Sequence, residues 1–140
     1  VVSPRFLVDA NVLSEPLKPI PNLSVLRQIE KHRADLATAS PVWHEILYGC
    51  DRLPASKRRA TIEEYLWQTL APSLVILSYD ARAAERHASE RARLTGAGKT
   101  PPFLDGQIAA IALVHDLTLV TRNVDDFVPF ELRIENWWNP

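Results

Sequence analysis

Acids at three widely separated points of the chain are the residues best suited to chemistry. Arg5-Phe6-Leu7-Val8-Asp9-Ala10-Asn11 reads as a short buried strand closed by a carboxylate and an amide. In an open α/β sheet the carboxyl ends of the strands form the binding crevice, so Asp9 falls where ligands are held. Two later segments, Ser40-Pro41-Val42-Trp43-His44-Glu45 and Pro101-Pro102-Phe103-Leu104-Asp105-Gly106, bring further acids to helix starts. Like carboxylates cluster only against a compensating charge, so three converging acids point to a divalent-cation site.

Each acid also has a plainer explanation. Asp9 and Asn11 suit an Asx turn after a strand, and from that segment alone the two readings are even. Glu45 lies among Val42, Trp43, Ile46, Leu47 and Tyr48, where a buried charge is costly unless paired or metal-bound. With its head in water it needs no partner. Asp105 opens an Ala-rich helix, Gly106-Gln107-Ile108-Ala109-Ala110-Ile111-Ala112-Leu113, and an acid in a first turn is favoured by the helix dipole. Gly106 is expected to leave the surface beside that carboxylate open to close approach. The small Ala109, Ala110 and Ala112 let the helix lie tight on a sheet. A fourth polar cluster, Thr121-Arg122-Asn123-Val124-Asp125-Asp126-Phe127, follows the last long strand, and a simple Asn/Asp-rich turn is its alternative reading.

The elements that must position these groups alternate. Strands are expected at Phe6–Val8, Leu36–Ala39, Leu74–Leu77 and Leu117–Thr121, with a weaker one near Leu132–Ile134. Helices are expected over Leu23–Lys31, Pro41–Arg52, Ser56–Leu70, Ala81–Leu94 and Leu104–Val114. Ser40 before Pro41 reads as a cap followed by proline at the first helical position. Asp80 can cap the next-to-last helix, and Gly96-Ala97-Gly98 stops it. Pro16, Pro19 and Pro21 stiffen the loop between the first acid and the first of these helices. The pattern implies one α/β domain over residues 1–140, a mostly parallel central sheet flanked by helices.

Composition removes several function classes. A chain of 140 residues that is 46% hydrophobic builds a packed core and is not a disordered segment. Charged residues or proline interrupt every apolar run, so no membrane span is expected. No basic, apolar leader is seen, and the single Cys50 fits a reducing cytoplasm, where a buried structural thiol is the expected role. A net charge of −1 argues against a passive, charge-driven nucleic-acid binder but not against a nuclease. Basic clusters at Lys57-Arg58-Arg59 and over Arg82, Arg86, Arg91 and Arg93 read first as solvated helix faces and second as phosphate contacts.

Four blocks in order carry a family resemblance. Leu7-Val8-Asp9-Ala10-Asn11-Val12-Leu13-Ser14-Glu15, Trp43-His44-Glu45-Ile46-Leu47-Tyr48-Gly49, Leu104-Asp105-Gly106-Gln107-Ile108-Ala109-Ala110 and Thr121-Arg122-Asn123-Val124-Asp125-Asp126-Phe127 together resemble a PIN domain. The chain looks most like the toxin ribonucleases of VapBC- and FitAB-like toxin–antitoxin pairs. Each block is weak alone, whereas the ordered set is specific.

The resemblance implies a Mg²⁺- or Mn²⁺-dependent endoribonuclease with Asp9, Glu45 and Asp105 as its acidic triad. Asp9 and Asp105 would be direct metal ligands; Glu45 would be a further ligand or would orient water. Some relatives carry an acid where this chain has Asn123. Both Asn123 and Asp126 are therefore candidates for a fourth position, with Asn123 favoured near the metal and Asp126 expected within its turn. An RNA substrate, a cognate antitoxin and a homodimer are further implications.

Two other classes compete. An aspartyl-phosphate phosphotransferase or phosphatase also starts from an Asp after a first strand. Asp9-Ala10-Asn11-Val12-Leu13, however, lacks the second acid and the Thr of haloacid-dehalogenase-type phosphatases, and Arg122 stands where a receiver domain wants Lys. A non-catalytic interaction module would keep the fold, but it has no need of three acids.

Overall fold

Five strands lie in the order β3-β2-β1-β4-β5, every neighbouring pair parallel: β1 (Phe6–Val8), β2 (Leu36–Ala39), β3 (Val75–Leu77), β4 (Thr118–Val120) and β5 (Ile134–Glu135). This computed structural model describes residues 3–139; Val1 and Pro140, the ends of the expected domain span, lie outside the described residues. Phe6, Leu7 and Val8 are all buried, as a central parallel strand covered on both faces requires. Register pairs Leu7 with Ala37 on one side and with Leu119 on the other.

The chain winds outward from β1 through β2 to β3, then returns to place β4 on the opposite side of β1. That reversal makes the β1–β4 boundary a topological switch point, where connections leave the sheet in opposite directions and open a crevice. Asp9 follows β1, and Thr121 follows β4. The Asp9 N–H donates to Val120 O (2.9 Å), extending the ladder to the first acid.

Helices cover the sheet: α1 (Ala10–Ser14), α2 (Leu23–Lys31), α3 (Ser40–Asp51), α4 (Lys57–Glu64), α5 (Ala81–Gly96), α6 (Phe103–Val114) and α7 (Val124–Phe127). Side chains cap four of them: Asp9 caps α1, and Asn22, Ser56 and Asp80 cap α2, α4 and α5. Asn22 Oδ1 accepts from Val25 N–H, Ser56 Oγ from Arg59 N–H and Asp80 Oδ1 from Ala83 N–H. After α5, Gly98 takes φ +76°, a left-handed conformation that glycine adopts without a Cβ penalty. The core centres on β1, β4 and the buried Ile108, Ala109, Ile111 and Ala112 of α6, closed by Phe127, Phe130 and Trp137. Alanines let α6 sit close to the sheet, holding its first turn beside the crevice. No helix among the described residues is long and apolar enough to cross a membrane.

Three local expectations change. Asp9 begins a short helix rather than a bare turn: its Oδ1 accepts from Ala10 N–H (2.8 Å) and caps α1. Ser40 does not cap α3; Ala39 occupies the cap position, and Ser40 Oγ accepts from Tyr79 N–H (3.2 Å), joining α3 to the segment after β3. The helix expected across Ser56–Leu70 is α-helical only to Glu64 and continues as π-helix over Tyr65–Leu70. There the Tyr65 hydroxyl donates to Leu13 O (2.8 Å), tying the widened turn to the end of α1.

Candidate active site

Asp9 is held by two hydrogen bonds in a buried position. Its Oδ1 takes the Ala10 N–H, and its Oδ2 accepts from Thr121 Oγ1 (2.8 Å). Thr121 Oγ1 in turn accepts from Asn123 N–H (3.1 Å). Burial raises the Asp9 pKa above the usual carboxylate range, against the pull of these two bonds, and the Asp126 charge adds to the rise.

Asp105 sits in the first turn of α6, half-buried. Its carboxyl is pushed up to about 6, first by burial and then by the charges of Asp126, Asp9 and Glu45. Glu45, in the second turn of α3 on the open side, is raised by partial burial and by Asp9, with His44 opposing. Four acids from four elements therefore act on one another electrostatically. Carboxylates pushed upward together at a switch point make this the candidate functional site.

A cleft of about 260 Å³ joins them, walled by Asp9, Asn11, Glu45, Asp105 and Asn123, with Ile108 and Phe127 among its apolar lining. The two candidates for the fourth position divide. Asn123 is on the cleft wall, and its side chain makes no capping bond to α7. Asp126 is in the first turn of α7, where its own N–H donates to Asn123 O (3.2 Å), and its charge is felt at both Asp9 and Asp105. Asp125 and Asp126 line a neighbouring polar hollow that shares Asn123 with the cleft.

Among the described residues no three His, Cys, Asp or Glu side chains form a finished metal cage. The donor set still fits a small hard cation. It is all oxygen and open to solvent, and Mg²⁺ keeps several waters when only one or two carboxylates bind it.

Gly106 has a different role from the one its sequence position implies. The space beside it is filled by the buried ring of His87 from α5: a Cβ built on Gly106 would overlap His87 Nε2 and lie 2.7 Å from Cδ2. That ring cannot swing aside freely. Its Nδ1 is 2.7 Å from the Tyr79 hydroxyl, and Phe103 packs edge-on at 4.7 Å. Burial lowers the His87 pKa, so the ring packs there neutral. His87 is the residue that sequence reasoning misses. The signal exists in the buried positions Ala83, His87, Glu90 and Leu94, whose spacing follows one helix face.

Gly106→Ala should therefore cost about 1–3 kcal/mol of stability and slow any reaction at Asp105 more than roughly tenfold, as the first turn of α6 shifts. Adding His87→Ala should return part of both losses, because the obstruction is gone. Melting temperature and turnover measured through the double-mutant cycle check this; strictly additive losses would mean the two residues do not collide.

The chain and its fold have close counterparts. The PIN domain family model matches residues 6–128. The VapC ribonuclease Y4jK of Sinorhizobium fredii is 31% identical over 96% of this chain and 98% of its own length. Toxin FitB of Neisseria gonorrhoeae is 32% identical over 95% of this chain and 98% of its own length. The crystal structure of FitAcB from Neisseria gonorrhoeae superposes with a TM-score of 0.90 at 31% identity, covering 96% of this chain and 99% of that one. On this match of sequence and architecture, the chain belongs to the PIN domain family.

Proposed function

We propose that this protein is an endoribonuclease toxin that hydrolyses internal phosphodiester bonds of RNA in the cleft lined by Asp9, Glu45 and Asp105. The observation that carries the reading is the convergence of Asp9, Glu45 and Asp105 on one cleft at the switch point, with the Asp126 charge felt at Asp9 and Asp105 and with Asp105 pushed up to about 6. Relatives named as a ribonuclease and as a toxin, similar over nearly the whole chain, support the reaction class.

Asp9 and Asp105 would hold a Mg²⁺ or Mn²⁺ ion, with Glu45 as a further ligand or a hydrogen-bond acceptor for the attacking water. Such an ion supplies charge neutralisation at the phosphate and a lower pKa for water. Thr121 keeps the Asp9 carboxylate oriented and ionised through its donated hydrogen bond. Glu45, exposed at the cleft wall, would accept the proton that the attacking water loses. Asn123 presents an uncharged amide to the cleft wall and is suited to hydrogen-bonding a phosphate oxygen without repelling it. A cell that makes such an enzyme needs an inhibitor, so a cognate antitoxin belongs to the proposal, as do action in the cytoplasm and a homodimer.

Purified protein given end-labelled RNA and Mg²⁺ or Mn²⁺ should produce internal cuts, and brief expression in cells should leave the same cuts in transcripts. A folded wild-type protein that cuts no RNA with either ion would overturn the reading.

A further inference from the structure

A hollow of about 620 Å³ opens beside the acids and shares Ala10 and Glu45 with the acidic cleft, so the two form one groove. Ile46, Leu53 and Ile62 give it an aliphatic lining, and its cations are Lys18, Arg52 and Arg58. These are not equivalent. Lys18 Nζ lies 2.9 Å from Oε1 of buried Glu15 and is spent on that charge. Arg59, next in sequence to Arg58, is also committed: its Nε is 3.2 Å from Glu63 Oε1, and its Nη1 donates to Leu53 O (2.8 Å). Arg52 and Arg58 take part in none of the ion pairs found among the described residues. The Arg52 guanidinium lies 5.4 Å from the ring centroid of Tyr48, which is exposed.

On the Asn123 side the cleft meets a second hollow, whose lining also holds Asp125 and Asp126. Asn123 is shared with this polar hollow of about 430 Å³ whose cation is Arg122, and the Arg122 guanidinium lies 5.4 Å from the ring of Trp138. The acids thus stand between two hollows, one lined by Arg52 and Arg58 and the other by Arg122, none of them in an ion pair among the described residues. Uncommitted arginines on both sides of an acidic cleft match a polymer whose phosphates continue past the bond to be cut.

We propose that this groove is a track for a single RNA strand, with Arg52 and Arg58 holding phosphates on one side of the cut bond and Arg122 on the other. The proposal rests on reading the acidic cleft as a ribonuclease site. It assigns substrate affinity to residues that take no part in the chemistry, so turnover and binding should separate.

The test uses a labelled, unstructured 12-nucleotide RNA. Its binding is followed by fluorescence anisotropy in Ca²⁺ over a range of salt, and its cleavage in Mg²⁺. Arg52→Ala and Arg58→Ala should each weaken binding and raise KM roughly three- to tenfold, with kcat within about twofold of wild type. Each should flatten the slope of log affinity against log salt by about 0.7, one phosphate contact on a single strand. Lys57→Ala, a neighbouring exposed cation outside the groove lining, should change neither. An Arg52→Ala/Arg58→Ala protein with wild-type affinity and salt slope would overturn the track. Binding of a 12-residue poly-glutamate as tight as that of the RNA would also overturn it, assigning the groove to an acidic protein segment. Arginine-dependent RNA binding by a wild-type protein that cuts nothing in Mg²⁺ or Mn²⁺ would leave the track standing and overturn the ribonuclease reading instead.

Discussion

Purified Asp105→Asn protein is expected to cleave RNA roughly 100- to 1,000-fold more slowly than wild type, while melting at a higher temperature in metal-free buffer at pH 7.5. The opposite signs are the point. An acid serving only the fold loses stability when neutralised, because a favourable contact goes with the charge. Asp105 is in the reverse situation: burial and the charges of Asp126, Asp9 and Glu45 all disfavour its ionised form. Removing that charge relieves repulsion and at the same time removes a cation ligand. Asp9→Asn should be as inactive but thermally less clean. Both Asp9 oxygens accept hydrogen bonds, from Ala10 N–H and from Thr121 Oγ1, and an amide NH₂ cannot accept in either place. Between the fourth-position candidates, Asn123→Ala should slow cleavage with little change in melting. Asp126→Asn should move the acid limb of the activity profile to lower pH by taking one raising charge from Asp105. An active, unstabilised Asp105→Asn protein would remove the acid from the proposed chemistry.

The difference between Asp105 and Asp126 is also a difference in what a sequence can reveal. Asp9, Glu45 and Asp105 are readable because each sits at an element boundary that local rules identify: the end of an apolar strand, the second turn after Ser40-Pro41, and the start of an Ala-rich helix after Pro101-Pro102. Strand–helix alternation makes the parallel sheet readable for the same reason. Asp126 lies in α7, whose four residues are too few for a periodic signal, and its effect on Asp9 and Asp105 depends on how that turn packs. His87 is obscured differently. Two of the four buried residues on its helix face are polar, so the face does not stand out as hydrophobic, although the pairing with Gly106 across α5 and α6 decides where Asp105 is held. The π-helical Tyr65–Leu70 segment has no local cause in sequence. It accompanies a tertiary bond, Tyr65 to Leu13, between residues 52 positions apart in the chain. What escapes the sequence in each case is a contact between elements, not the character of an element.

Excess chelator should abolish cleavage, and Mg²⁺ or Mn²⁺ should restore it while Ca²⁺ does so poorly, since calcium's looser and larger coordination sphere positions a nucleophile badly. The same ion should also reverse how the protein responds to acid. Without metal, folded Asp105 is pushed up to about 6 from an ordinary 3.8. Between those values the folded chain holds a proton that the unfolded chain has released, so this group favours folding fully below about pH 4 and loses that contribution as pH rises through about 6. Asp9 and Glu45, also raised, act in the same direction. His87 works against them, because its lowered pKa means that stability present above about 6.5 is lost as pH falls. The clean quantity is therefore the melting-temperature difference between Asp105→Asn and wild type in chelator. It should be positive at pH 7.5, fall to roughly half that near pH 5, and vanish only below about pH 4, where the unfolded carboxyl is protonated as well. With Mn²⁺ present the ion competes with the proton for the same oxygens, so wild-type stability and cleavage should both fall as pH drops below about 6. A difference that stays constant from pH 7.5 to 5, or cleavage that survives chelation, would separate Asp105 from the cation and require a metal-free route to the phosphodiester.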